Sequence, residues 1–205
     1  MDQQAKNNRS RGGGRSGARK KRKVPYGQGR ENIRRAAQQL FYLKGLGTGL
    51  DEILSEADVS KPTFYHHFAG KSELETDYLF AQARALWDGF DRISEKSRTP
   101  RQFITRWMDF VRRRTRAAEF RGCPLGNFAV QTDPQHLPDV HAVFGTSTKK
   151  FEEALVRLAV PAARARDLAA DLFLIYQGSF LMVRATGDRS HFSRATRLML
   201  TMLDS

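Results

Sequence analysis

Apolar side chains recur along this chain at helical rather than strand spacing, in blocks separated by turn residues. Ile33, Ala37, Leu40 and Phe41 mark one face of a first helix predicted over residues 31–44, with Gly45 as its stop. Leu50, Ile53, Leu54 and Ala57 keep the i, i+3, i+4, i+7 spacing of a short second helix. Asp58-Val59-Ser60 then interrupts the pattern, with Val59 as the apolar plug of a tight turn. Ser60 is a good N-cap, and Pro62 sits in the first turn of the next helix, where its missing N–H is harmless. Phe64 and Phe68 fall four apart and point inward, and His67, three after Phe64, leans the same way. Lys61, Thr63, Tyr65 and His66 are left facing away from that core.

Beyond the third helix the blocks lengthen. Ser72-Glu73 opens a helix to about Lys96 that carries Leu74, Tyr78, Ala81, Ala85 and Phe90. Thr99-Pro100-Arg101-Gln102 is a capping box with proline at the first helical position. The helix it opens carries Phe103, Trp107, Phe110 and Val111 and ends among Arg112, Arg113, Arg114 and Arg116, cations favoured by the dipole at a helix C-terminus. Residues 122–134 break the rhythm and restart it. Helices are predicted over about 137–158 and 162–186, and a last one runs from Ser190 through Leu203. Leu168, Leu172, Ile175, Ser179 and Val183, then Phe192, Met199 and Leu203, give these last two broad apolar faces. The class predicted is all-α, with about nine helices.

A short helix, a tight turn and a second short helix that starts with Lys, Thr, Tyr and His is what a reader of the DNA major groove requires. Further identities sharpen this: Leu40-Phe41, Gly45, Thr48, Ile53, Ala57, Val59-Ser60, Thr63-Phe64-Tyr65, His67-Phe68, Lys71 and Leu74. Position by position they resemble the N-terminal domain of TetR-family transcriptional repressors, over about residues 31–80. Asp58 and Pro62 depart from the family, which favours glycine at both; Asp tolerates the left-handed dihedrals such a helix end requires better than most residues. The resemblance implies a helix-turn-helix domain over residues 30–76, and a ligand-binding and dimerisation domain over 77–205. It implies a homodimer on palindromic operator DNA, formed through the last two helices and released by a small-molecule effector. It also assigns roles: Lys61, Pro62, Thr63, Tyr65 and His66 face bases or adjacent backbone, while Thr48, Tyr65 and Lys71 hold phosphates. Trp87, Phe103, Trp107, Phe110, Phe128, Phe144, Tyr176 and Phe180 are the aromatics available to an effector cavity.

Charge adds one feature. The chain of 205 residues has net charge +13, yet residues 1–30 hold ten Lys and Arg against Asp2 alone, a net +9. Residues 1–29 are almost empty of apolar side chains before Val24 and read as a disordered basic arm, suited to phosphate or minor-groove contact. A weakly specific DNA binder driven by that arm is therefore the alternative to a specific repressor. Residues 172–183 form the most apolar run, too short and too broken by Gln177, Gly178 and Ser179 to span a bilayer. With no apolar signal segment at the N-terminus, the expectation is a cytoplasmic protein.

The single cysteine, Cys123, excludes an intrachain disulfide framework and fits a reducing compartment. It stands in Gly-Cys-Pro-Leu-Gly-Asn, a segment similar to one in the NemR-like subgroup of TetR proteins, where the cysteine senses electrophiles and oxidants. A position at a helix N-terminus, with Arg121 nearby, favours thiolate and hence that role. Cys123, Asp133, His136 and His141 can be assembled on paper into a metal or Cys–His site, but the two histidines are five apart and no second cysteine supports zinc. No phosphate loop, nucleophile elbow or paired-carboxylate motif is present, so neither an enzyme nor a cofactor is expected.

Overall fold

The computed structural model describes residues 28–115 and 119–204. They form nine α-helices and one 3-10 turn, with no strand among the described residues. The basic arm up to residue 27, and Arg116, lie outside them. Helices α1 (Gln28–Lys44), α2 (Leu50–Ala57) and α3 (Lys61–His67) make an N-terminal head. Helix α4 (Lys71–Glu95) leads into a body of α5 (Pro100–Arg114), α6 (Pro124–Gln131), α7 (Leu137–Arg157), α8 (Ala162–Thr186) and α9 (Ser190–Asp204).

The first helix begins three residues before the predicted Glu31 and takes in Gln28 and Gly29, which composition had assigned to the arm. The reason is close approach. A Cβ on Gly29 would lie 3.2 Å from both Thr63 Cγ2 and His67 Nε2, a tight contact that glycine spares where α1 closes onto α3. Asp58 ends α2 at φ 51°, ψ 45°, the left-handed cap anticipated for that position. The N–H groups of Asp58 and Val59 donate back to the carbonyls of Ser55 and Leu54. The capping box of α5 also forms: Gln102 N–H donates to Thr99 Oγ1 (3.1 Å). Its reciprocal arm reaches one residue further than the motif requires, with Arg98 N–H donating to Gln102 Oε1 (3.0 Å).

Head and body share a continuous core along α4. Phe41 meets Tyr78 edge-on at 5.5 Å, and Tyr78 in turn faces Phe128 of α6 at 6.4 Å. Arg34 of α1 grips Asp77 of α4 with two donors, Nε donating to Oδ2 at 2.9 Å. In the body Phe90 stacks on Trp107 at 3.9 Å, and Phe151 meets Phe90 edge-on at 4.3 Å.

A second left-handed residue lies between α7 and α8, where Ala159 has φ 68° and its N–H donates to Val156 O (3.0 Å). Alanine is a poor choice there and glycine a good one. Ala159→Gly is expected to raise stability by about 1 kcal/mol, read as a higher thermal midpoint. A lower midpoint would refute the strain.

The apolar faces read from the sequence of α8 and α9 turn inward: Leu168, Leu172, Val183, Phe192 and Met199 are buried. A different stripe stays outside. Leu174 is 72 % exposed, and Leu181 and Leu198 are exposed with it. On α8 the exposed small and apolar positions Ala170, Leu174, Gly178, Leu181 and Ala185 recur at three- and four-residue steps, the pattern of a helix-pairing seam. By length and composition α8 could also cross a membrane, but its apolar side chains are divided between core and seam.

Candidate nucleic-acid interface and ligand cavity

Helix α3 is short, and its orientation is set by what it buries. Phe64 and Phe68 are buried and stack at 5.6 Å, while Arg30 of α1 lies over the Phe68 ring. Thr63 N–H donates to Ser60 Oγ (3.3 Å), and the two hydroxyls stand 2.8 Å apart, which pins the first turn. Lys61, Pro62, Tyr65 and His66 are exposed and Thr63 is half-buried, all on the side away from the head's core. Tyr65 is 52 % exposed, unusual for so large an apolar ring. His67 is half-buried, and desolvation, with the charges of His66 and Arg30, pushes its pKa down.

Two residues expected on phosphates also have internal partners. Thr48 is only 6 % exposed, and its hydroxyl donates to Gly45 O (2.8 Å), closing the turn after α1. Lys71 Nζ donates to Leu46 O (2.5 Å) and pairs with Glu75 (3.1 Å). Thr48 thus braces the turn after α1, and Lys71 ties that turn to α4.

That joint has a second tie. Leu46 N–H donates to Gln131 Oε1 (3.1 Å), from the last residue of α6. Gly45 permits it, since a Cβ there would lie 2.3 Å from Gln131 Oε1. The Leu46 backbone is thus held from both sides, its carbonyl by α4 and its N–H by α6. Beside it His136 is buried against α4, with Nδ1 3.1 Å from Thr76 Oγ1 and Nε2 3.1 Å from Ser72 Oγ and 3.3 Å from Glu75 Oε2. His141 is exposed elsewhere on α7, and no metal-ligating group of three or more forms among the described residues.

A cavity of about 500 Å³ opens between the head and the body. Trp107, Phe110, Tyr176 and Phe180 line it; of the other aromatics foreseen, Phe103 and Phe128 are core, Trp87 donates its N–H to Ser147, and Phe144 packs on Phe173. The sequence reading missed one whole wall. Arg35, Gln38, Gln39 and Tyr42 come from α1, at i, i+3, i+4, i+7, a periodicity visible in the sequence on the polar side of that helix. Tyr42 ties this wall to the α6 entry: its hydroxyl accepts from Arg121 N–H (2.9 Å) and donates to Gly122 O (3.4 Å).

Cys123 is the N-cap of α6 and part of the cavity wall, but it is only 5 % exposed. Burial pushes its thiol pKa up, and the opposing N–H groups of Gly126 and Leu125 and the Gln177 side chain do not offset this. The expected thiolate is therefore reversed: desolvation outweighs the helix N-terminus. Maleimide should label the folded protein at least about tenfold more slowly than the unfolded chain at neutral pH. Equal rates would mean that the thiol is open and ionisable.

A helix-turn-helix on an all-helical body is the architecture of a DNA-binding regulator. Residues 33–75 match the model of bacterial regulatory proteins of the tetR family, and residues 100–198 match that of the C-terminal domain of LmrA/YxaF-like transcriptional regulators. Together these stretches take in more than two thirds of the chain, which belongs to the TetR family of transcriptional regulators. The HTH-type transcriptional regulator LmrA of Bacillus subtilis (strain 168) is 26 % identical over 165 residues, 78 % of this chain and 88 % of that protein. The HTH-type transcriptional repressor DhaR of Mycobacterium sp. (strain GP1) is 26 % identical over 171 residues, 78 % of this chain and 84 % of DhaR. In fold, a TetR-family regulator from Streptomyces coelicolor superposes with TM-score 0.77 at 22 % identity, covering 86 % of this chain and 95 % of that one. The reduced form of NemR from E. coli does so at 0.75 and 17 %, covering 83 % and 94 %.

Proposed function

We propose that the protein is a homodimeric transcriptional repressor that reads palindromic operator DNA with α3 and is released by a small molecule bound between head and body. The observation that carries this is the cavity itself: α1, which belongs to the DNA-reading head, supplies one of its walls. A ligand there touches the head directly. By linkage, a ligand that prefers one head–body angle lowers affinity for DNA that requires another.

In this reading Lys61, Pro62, Thr63, Tyr65 and His66 meet bases and adjacent backbone, since they form the outer side of α3. Thr48 and Lys71 act one step back, holding the turn from which the head is aimed. The seam of Leu174, Gly178 and Leu181 on α8, with Leu198 on α9, pairs with its copy and spaces the two recognition helices about one turn of DNA apart. Cys123 serves as a buried wall of the cavity. A chromosomal target places the protein in the cytoplasm.

The test is a titration of the DNA upstream of its own gene at about 150 mM salt against a scrambled fragment, where a specific regulator shows a preference near or beyond 10³-fold. Equal weak binding that vanishes on removal of residues 1–24 would instead support arm-driven, weakly specific binding. Tyr65→Ala should cost more than about 1 kcal/mol on the operator and much less on scrambled DNA. Equal losses on both would count against base reading by Tyr65.

A further inference from the structure

Resting on the reading of the cavity as the effector site, we infer that its ligand is a flat aromatic anion: a fused or linked ring system carrying a carboxylate or another acidic group.

The rings define the shape. Trp107 lies 5.6 Å from Phe110 and 5.8 Å from Tyr176, and Tyr176 lies 4.9 Å from Phe180. The rings pack on one another at stacking and edge distances into a continuous aromatic wall, of which Phe110 is the most open of the four. A volume of about 500 Å³ suits a ligand of two to four rings.

The charge defines the head group. Arg35 and Arg114 line the cavity from its solvent-exposed side, and no Asp or Glu lines it. Among the described residues neither guanidinium has a carboxylate within 4.0 Å: Arg114 lies over the Phe110 ring at 5.4 Å, and Arg35 donates to Asn32 Oδ1 at 3.2 Å. Cations facing an apolar wall without counter-charge focus a positive potential into the cleft. The lining holds two cations and no carboxylate, a charge that an aromatic acid complements. An aromatic amine would repeat the charge already there.

Three ligands of nearly one shape separate the possibilities: anthracenecarboxylate, anthracenemethanol and anthracenemethylamine, titrated calorimetrically into the full-length protein. The carboxylate is expected to bind at least about tenfold more tightly than the alcohol, with the amine weakest. Arg114→Gln should bring the carboxylate-to-alcohol ratio within about threefold, and Arg114→Lys should restore part of it. Equal affinity for carboxylate and alcohol, or no binding of any of the three at about 1 mM, overturns the assignment. So does a preference that survives replacement of both Arg35 and Arg114 by Gln. Operator titration of the same samples keeps the two readings apart. Carboxylate that binds with the stated preference but does not weaken operator binding leaves the ligand class standing and removes ligand release. Specific operator binding with no carboxylate preference does the reverse.

Discussion

Phe64→Ala is expected to destabilise the head by about 3–5 kcal/mol and to abolish operator binding at concentrations where the parent is saturated. Phe64 is fully buried, stacks on Phe68 and meets Tyr65 edge-on at 5.3 Å, so it sets both the seat of α3 and the direction of the Tyr65 ring. Truncation leaves a ring-sized void under a helix of seven residues, too short to persist without its packing. The body has its own aromatic core around Phe90, Trp107 and Phe151, so the loss should fall on the head. In circular dichroism the variant should lose part of its helical signal well below the main transition. Phe64→Leu should lose much less. A Phe64→Ala protein that keeps operator affinity within about threefold would show that α3 is not seated through this ring.

How far the sequence speaks depends on the distance over which a signal acts. Caps, turns and helix faces are local. Ser60, Asp58 and the Thr99 box are therefore readable from neighbouring residues, and all three form as expected. The start of α1 was misread because its cause is not local: Gly29 looks like part of a glycine-rich arm until α3 lies against it. The same holds for α8, whose apolar residues point both ways. Periodicity records that a residue is apolar, not which neighbour covers it. Cys123 failed in a different way. Helix position argues for thiolate, burial argues against it, and burial cannot be read from one residue's place in the chain.

The tie at Leu46 was the least legible feature, and it turns a cavity into a device. Helix α6 begins at the cavity wall with Cys123 as its N-cap and ends eight residues later at Gln131, whose side chain accepts from Leu46 N–H in the turn between α1 and α2. A rod this short moves as a unit, so a ligand that shifts its start displaces its end. Gln131→Leu keeps much of the side-chain bulk and removes the acceptor, while Lys71 still holds Leu46 O. The expected result is a selective loss of communication. A coupling of 1–3 kcal/mol makes ligand lower operator affinity about 5- to 150-fold, and in Gln131→Leu that factor should fall toward unity. Ligand affinity at the cavity should be little changed, because Gln131 is not among its walls. Paired operator titrations, with and without saturating ligand, measure the factor directly. An unchanged factor would mean that the signal passes through α1 and its cavity wall alone.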